Sequence, residues 1–229
     1  MHQSGCAPQG PEFSPMNTPL MNRRQVSLGL AASALLMRDA TAAEPREGQQ
    51  YTRLSSPIAV AVPGKIEVIE FFGYWCPHCY ELEHGLQAWA AKVPAGVNFR
   101  RSPVGWQASH VPYQKLYFAL ESMGVPAALH GKVFDALHRD RLRLDNEAGL
   151  GVFAQANGID KARLLDLMNG FSVNARVKVA NQLYESYRLD GVPALAVNGQ
   201  YLTSPAQAGG DAQALQVVDA LIQKARSKA

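Results

Sequence analysis

The pattern of apolar positions divides the chain into strands and helices. The run Ile66–Phe72 is rich in β-branched and aromatic residues, which predicts a buried strand. Pro77 suits the first position of a helix, because the backbone N–H that proline lacks would have no partner there. Apolar residues then recur at helical spacing, at Leu82, Leu86, Trp89 and Val93. An alternating run over 97–101 predicts the next strand, so strand–helix–strand implies a right-handed crossover with parallel pairing.

The middle of the chain keeps a helical apolar period from about Pro112 to Gly170. Glycine, proline and polar residues interrupt it at 124–126, 139–145 and 157–158. The pattern therefore predicts several short helices rather than one long one.

Two helix starts follow capping residues. Asp160 is predicted to cap a helix that begins at Lys161. Ser172 is predicted to cap a longer helix after it, because serine at this position accepts a hydrogen bond from a free backbone N–H.

The remaining elements belong to a sheet and a closing helix. A lead-in strand is expected over 49–57, and another over 194–197. Asn198-Gly199, between two short apolar runs, predicts a hairpin with a type I′ turn. The apolar period from Asp211 onward predicts a C-terminal helix.

These elements predict an α/β fold, in which a mixed sheet flanked by helices is interrupted by a helical insertion. We expect the first part of the sheet domain over 44–111, the insertion over 112–171 and the second part of the sheet domain over 172–229.

Residues 1–43 are interpreted as an upstream extension and a signal peptide. Arg23 and Arg24 precede an uncharged, mostly apolar run over 26–37, and small residues at 40–43 offer a cleavage site. This arrangement predicts export of the remaining chain.

Composition excludes several classes of protein. The chain has 229 residues, 47% of them hydrophobic and 18% charged, which is typical of a globular protein. A net charge of +3 is too small to indicate a nucleic-acid-binding protein. Of the 3 cysteines, Cys6 would leave with the signal peptide. The exported chain would keep only Cys76 and Cys79, too few for a disulfide-stapled scaffold.

Cys76-Pro77-His78-Cys79 is the candidate chemical site. Cys76 falls at the predicted N-cap, where free N–H groups and the helix dipole stabilise a thiolate. His78 adds a possible cation beside the same sulfur, and Cys79, one turn inside, is the natural resolving thiol. This arrangement predicts a redox-active dithiol, and a pair stabilised in its reduced form is a strong oxidant of other thiols.

Three other readings of the pair compete. It could be half of a zinc site, although the sequence has no second cysteine pair. The other candidate ligands show no ligand spacing and no partner visible in the sequence, namely His84, His110, His130 and His138. The pair could also be a structural disulfide, which would gain little from so short a loop, or two buried free thiols.

The site and a later proline loop resemble one known family. The segment Glu-Phe-Phe-Gly-Tyr-Trp-Cys-Pro-His-Cys-Tyr over 70–80 resembles the active-site segment of the DsbA family of thiol oxidases. Gly191-Val192-Pro193-Ala194 resembles the cis-proline loop of the same family. The resemblance implies a thioredoxin fold with an inserted helical domain, and neither a metal nor an organic cofactor.

The resemblance also assigns roles to the matching residues. Cys76 corresponds to the nucleophilic cysteine, Cys79 to the resolving cysteine, and Pro77 and His78 to the dipeptide that tunes the thiolate. Val192 and Pro193 correspond to the loop that faces the disulfide and binds substrate backbone.

Glu70 is a further candidate, indicated both by its position in the predicted strand and by the family resemblance. It lies between Ile69 and Phe71 in an apolar strand, so burial, a raised pKa and transfer of the Cys79 proton are expected. The family places an acid at this offset, and Arg101 on the next strand is the expected charge partner. The alternative is a solvated glutamate at the end of the strand.

The predicted function is that of a dithiol oxidase in the periplasm. The resemblance implies that it gives its disulfide to secreted or periplasmic proteins with reduced cysteines. It also implies reoxidation by a quinone-linked membrane protein of the DsbB type. We expect a monomer that does not bind nucleic acid. A disulfide isomerase or reductase on the same fold, or a non-catalytic peptide-binding chaperone, are the alternatives.

Overall fold

The computed structural model of the chain describes residues 44–125 and 128–227. The signal peptide and upstream extension predicted for residues 1–43 lie outside the described residues. Within the described ranges, no helix combines the length and the apolar character needed to cross a membrane.

A five-stranded mixed sheet forms the centre of the fold. Its strands are β1 (Thr52–Arg53), β2 (Ile66–Phe72), β3 (Val97–Pro103), β4 (Ala194–Val197) and β5 (Tyr201–Thr203), in the spatial order β1-β5-β4-β2-β3. β2 pairs parallel with β3 and antiparallel with β4, so the predicted strand–helix–strand crossover with parallel pairing is confirmed.

The predicted lead-in strand over 49–57 was too long. Only Thr52 and Arg53 pair with β5, opposite Leu202 and Tyr201. Residues 48–50 form a turn, and β5 is itself only 3 residues long, so the partner strand limits the pairing.

Most of the helices fall where the apolar period predicted them, whereas the 3-10 turn Ala108–His110 and the short helix Pro205–Ala208 were not predicted. In chain order, the helical elements are α1 (Pro77–Ala90), a 3-10 turn (Ala108–His110), α2 (Val111–Ser122), α3 (Ala128–His138), α4 (Glu147–Ala156), α5 (Lys161–Asn169), α6 (Phe171–Ser186), α7 (Pro205–Ala208) and α8 (Asp211–Arg226). Helices α2 to α5 occupy the stretch predicted as an insertion, whose boundaries stay a prediction.

One predicted helix cap is confirmed and the other was wrong. The Asp160 side chain accepts a hydrogen bond from the backbone N–H of Arg163 at 3.1 Å, as expected of an N-cap. Ser172 lies inside α6, because that helix begins at Phe171. Gly170 is both the C-cap of α5 and the N-cap of α6, so Ser172 lies two residues past the capping position.

The predicted hairpin turn is confirmed at Asn198 and Gly199. Both have positive φ, 53° and 61°, as a type I′ turn requires, and the Gln200 N–H donates to Val197 O at 3.0 Å. A Cβ on Gly199 would lie 1.9 Å from the carbonyl oxygen of Ile58, so only glycine fits there.

The two cysteines lie in the hydrophobic core, between the sheet and the helices. Val68 on β2 packs in a cluster with residues of α1 and α8, while Ile69 and Phe71 pack with Tyr187 beyond α6. The largest cluster is built mainly from α2 to α6, and it includes Phe72, Tyr74, Cys76 and Cys79. The start of α1 therefore lies where the sheet meets the helical stretch.

Candidate active site

The two cysteines occupy different positions at the start of one helix. Cys76 is the N-cap of α1, with extended backbone angles of −92° and 118°, and Pro77 is the first helical residue, as predicted. Cys79 lies one turn inside. Both thiols are free, and they are 5% and 0% exposed, respectively.

The environment of Cys76 favours its thiolate. A hydrogen bond from the Cys79 side chain is the largest cause that lowers its pKa, to about 6, from an ordinary value of 9.0. Partial burial opposes this shift, whereas the backbone N–H groups of Cys79 and His78 and the charge of His78 support it. At neutral pH the outer cysteine is therefore ready to react as a nucleophile.

Cys79 has the opposite chemistry. Burial raises its pKa well above the ordinary value, and the neighbouring Cys76 raises it further. The backbone N–H of Gly73 donates to the Cys79 sulfur at 3.5 Å, which opposes this shift only in part. Cys79 is therefore a protonated donor next to the Cys76 thiolate.

His78 acts on Cys76 less directly than the sequence suggested. Its imidazole Nδ1 lies 3.0 Å from Glu81 Oε2, with both side chains largely exposed. The hydrogen bond with Glu81 is the main reason that the pKa of His78 is raised. A raised pKa favours the imidazolium, so His78 contributes to the Cys76 thiolate through its charge and its backbone N–H.

The proline loop reaches the outer cysteine. The peptide bond between Val192 and Pro193 is cis, as the resemblance implied. The Cys76 sulfur lies 3.4 Å from the carbonyl oxygen of Val192, to which it can donate only in its protonated form. Residues far apart in the sequence are thus in contact at the reactive sulfur.

Glu70 is buried and paired, as expected. It is 0% exposed, and Arg101, its partner in the β2–β3 register, donates from Nε to Glu70 Oε2 at 2.8 Å. Burial raises the pKa of Glu70 to about 8, although the Arg101 charge opposes the shift. Glu70 Oε1 has no hydrogen-bond partner among the described residues and is available to exchange a proton.

Sequence reasoning missed Glu83, a second carboxylate at the same cluster. Arg101 Nη2 donates to both of its oxygens, at 3.1 and 2.9 Å, and Glu83 is only 4% exposed. The signal was in the helical period, because Glu83 lies on the apolar face of α1 with Cys79 and Leu86. Burial raises the pKa of Glu83, against the Arg101 charge.

Two histidines for which the sequence showed no partner also contact the site. His130 Nδ1 lies 2.7 Å from the Tyr74 hydroxyl, and His138 Nε2 lies 2.8 Å from the Tyr74 carbonyl oxygen. Both contacts join residues more than fifty positions apart, so no local pattern predicts them.

Glu70, Glu83 and His130 offer atoms within 4.8 Å of one another, a spacing that a metal ion could use. Arg101 already donates to both carboxylates there. The guanidinium already supplies positive charge and hydrogen-bond donors to this group, so the group is accounted for by Arg101.

A stabilised thiolate at a helix start, a buried resolving thiol and a cis-proline loop on a mixed sheet are features of thioredoxin-fold thiol–disulfide oxidoreductases. A family model described as "DSBA-like thioredoxin domain" matches residues 95–223. The chain belongs to the DsbA family of thiol:disulfide interchange proteins and is a thiol–disulfide oxidoreductase.

Individual relatives agree with this assignment. The chain is 40% identical over 212 residues to a thiol:disulfide interchange protein DsbA of Bordetella parapertussis, covering 92% of this chain and 100% of the relative. The crystal structure of Pseudomonas aeruginosa DsbA is 37% identical with a TM-score of 0.77, over 80% of this chain and 96% of that one. Xylella fastidiosa DsbA is 29% identical with a TM-score of 0.73, over 80% and 98%.

Proposed function

We propose that the protein is a dithiol oxidase that donates a Cys76–Cys79 disulfide to pairs of reduced cysteines in other proteins. The observation that carries the proposal is the asymmetry of the dithiol. The pKa of Cys76 is lowered to about 6, whereas that of the buried Cys79 is raised. A stabilised thiolate favours the reduced form of the enzyme, and this makes its disulfide a good oxidant.

The proposed cycle balances sulfur, electrons and protons. A substrate thiolate attacks the sulfur of Cys76, so the Cys76–Cys79 bond breaks and a mixed disulfide forms. Cys79 leaves as a thiolate and takes up a proton. The second substrate thiolate then attacks the substrate sulfur of the mixed disulfide, which releases Cys76 as a thiolate. The substrate loses two electrons and the enzyme gains them.

Glu70 is proposed to supply the proton that Cys79 takes up. With a pKa of about 8, its carboxyl is largely protonated at neutral pH. The charge of Glu70 is one of the causes that raise the pKa of Cys79, and Glu70 Oε1 makes no hydrogen bond within the described residues. In the reverse direction, the same carboxylate would accept the proton of Cys79.

Val192 and Pro193 are proposed to hold the substrate chain beside Cys76. They line a groove of about 990 Å³ that also includes His78 and Arg188. Because the Val192 carbonyl oxygen lies 3.4 Å from the Cys76 sulfur, a bound extended segment could pair with this backbone while its cysteine reacts.

The proposed setting is the periplasm. Export would follow from the signal peptide predicted within residues 1–43. Each turnover leaves the enzyme reduced, so an electron acceptor is required, and we propose a quinone-linked membrane protein of the DsbB type. The proposed working form is a monomer.

The redox equilibrium with glutathione tests the direction of the reaction. The expected result is that glutathione reduces the Cys76–Cys79 disulfide readily, so that the reduced enzyme predominates at modest ratios of reduced to oxidised glutathione. An equilibrium close to that of a strongly reducing dithiol would indicate a reductase instead. Efficient reshuffling of scrambled disulfides, without net oxidation, would indicate an isomerase.

A further inference from the structure

Tyr74 is held at both of its polar ends by one helix. Its hydroxyl lies 2.7 Å from His130 Nδ1, and its carbonyl oxygen lies 2.8 Å from His138 Nε2. Both histidines belong to α3. Tyr74 is 2% exposed and His130 is 7% exposed, so the first contact is shielded from water. A buried hydroxyl needs such a partner, because leaving it unpaired costs free energy.

Chemistry fixes the direction of the hydrogen bond at the Tyr74 carbonyl oxygen, whereas the direction at the hydroxyl depends on the tautomer of His130. The Tyr74 carbonyl oxygen can only accept, so His138 carries its proton on Nε2. Burial lowers the pKa of His130 well below its ordinary value, so its ring is neutral. With the tyrosine hydroxyl donating to Nδ1, the proton of His130 is on Nε2, which faces Glu83 Oε2 at 3.7 Å.

Gly73, the residue before Tyr74, makes a hydrogen bond with each of the two cysteines. Gly73 donates its backbone N–H to the Cys79 sulfur at 3.5 Å and accepts from the backbone N–H of Cys76 at 2.9 Å. Cys79 in turn donates to the Cys76 sulfur, the largest cause of the low pKa there. A displacement of Tyr74 would therefore be transmitted through Gly73 to both thiols.

Helix α3 also contacts the other side of the dithiol. Tyr80, which follows Cys79, donates its hydroxyl to Asp135 Oδ1 at 2.9 Å. The His138 ring stacks on the Tyr80 ring, with centroids 5.1 Å apart and planes 10° apart. His138 thus contacts the segment before the dithiol and the segment after it.

We propose that His130 and His138 are positioning residues for the dithiol: they hold the hydroxyl and carbonyl oxygen of Tyr74, and so fix the Gly73 hydrogen bonds that arrange Cys76 and Cys79. The inference rests on the proposed redox function of that pair. Neither histidine acts on the reacting sulfur itself. Their contribution is to keep the donor chain from Gly73 to Cys79 to Cys76 aligned, since short chains of hydrogen bonds reinforce one another.

Variants of His138 separate positioning from packing. His138→Phe keeps a ring against Tyr80 but removes the donor to Tyr74, whereas His138→Gln restores a donor. We expect His138→Phe to raise the pKa of Cys76 and to shift the glutathione equilibrium about three- to tenfold toward the protein disulfide, the range that one hydrogen bond of typical net strength supports. His138→Gln should stay within about twofold of the unchanged protein.

The contact at the hydroxyl is tested with a double-mutant cycle. Tyr74→Phe and His130→Phe should each shift the glutathione equilibrium in the same direction, and the double variant should shift it less than the product of the single effects. His84→Phe is the matched control, because His84 also contacts the Tyr80 ring, at 5.1 Å, yet is exposed. It should leave both the Cys76 pKa and the equilibrium unchanged.

The outcomes distinguish this inference from the proposed function. If folded His138→Phe and Tyr74→Phe both keep the Cys76 pKa and the glutathione equilibrium of the unchanged protein, the positioning role is wrong. If His138→Phe does not fold, Tyr74→Phe decides the His130 contact and His138→Leu, which removes the same donor with a smaller side chain, decides the His138 contact, by the same two readouts. If the unchanged protein shows no reversible dithiol–disulfide equilibrium, the proposed function itself is wrong.

Discussion

Cys76 and Cys79 are two thiols of one motif, and their surroundings give them opposite chemistry. Cys76 ends the extended segment before α1, where it accepts from Cys79 and faces the free N–H groups of the helix. Cys79 is one turn inside, fully buried, and its pKa is raised. The difference shows that a single helical turn can separate a nucleophile from a resolving thiol, because the helix start stabilises charge and the helix interior does not.

Replacing Cys76 should have the largest effect. In Cys76→Ser, dithiol oxidation of a reduced substrate protein should fall to the uncatalysed background, a loss on the order of a thousandfold or more, because the sulfur that forms the mixed disulfide is gone. The measurement is the rate of disulfide formation in that substrate. Activity that survives the substitution would favour the non-catalytic peptide-binding alternative.

Replacing Cys79 should affect a different step. Cys79→Ser keeps the Cys76 nucleophile but removes the neighbouring thiol that can displace a partner from it. With oxidised glutathione, Cys76 should therefore form a mixed disulfide that accumulates, while one glutathione leaves as a thiolate. Mass analysis without reductant would detect this mixed disulfide as an adduct on Cys76. Rapid release of such adducts would show that another thiol performs the resolving step.

The low pKa of Cys76 should make the stability of the reduced protein depend on pH. A thiol whose folded pKa is depressed to about 6, from 9.0, stabilises the fold above its unfolded pKa, and this contribution is lost as pH falls through about 6. The free energy of unfolding of the reduced protein, relative to the oxidised protein, should therefore be about 2–3 kcal/mol smaller at pH 5 than at pH 8. Denaturant titrations of both forms at the two pH values measure this difference. Titration of Glu70 occurs in both forms and largely cancels.

The smallest of these effects is expected on the protonation of Cys79, and it compares two glutamates of the same strand, Glu70 and Glu67. Glu70 is paired with Arg101, whose side chain is 13% exposed, whereas Glu67 is paired at 3.0 Å with Arg100, whose side chain is 32% exposed. Glu70→Gln should slow the protonation of Cys79 by on the order of tenfold, because the amide cannot give up a proton. Glu67→Gln is the matched control and should leave the rate unchanged.

The pH profile strengthens that comparison. Because the pKa of Glu70 is raised to about 8, its supply of protons should decline as pH rises through about 8. The rate of Cys76–Cys79 opening should show this decline in the unchanged protein and in Glu67→Gln, and lose it in Glu70→Gln. Identical profiles in all three proteins would remove Glu70 from the proton transfer.

Much of the fold could be predicted from local patterns. The β-branched run of β2, Pro77 at the start of α1, the Asp160 cap and the Asn198-Gly199 turn each depend on residues close in the sequence, and each is present. The lead-in strand was predicted too long, since its extent depends on the length of β5, a partner far along the chain.

The site was predictable only in part, for a similar physical reason. The dithiol and Glu70 were visible because burial and helix position follow from neighbouring residues. Glu83, His130 and His138 were missed as site residues, since their roles depend on Arg101 and Tyr74, which other elements supply. A charged residue on an apolar helix face, such as Glu83, is the one signal that could have indicated a buried cluster.

The most direct test of the account is a titration of the Cys76 thiolate in the reduced protein by its ultraviolet absorbance, with Cys76→Ser as the blank. The account predicts a transition with a midpoint near pH 6 that the blank lacks, while Cys79 stays protonated through neutral pH. A transition near the ordinary thiol value of 9.0 would contradict the central claim that the start of α1 holds Cys76 as a thiolate.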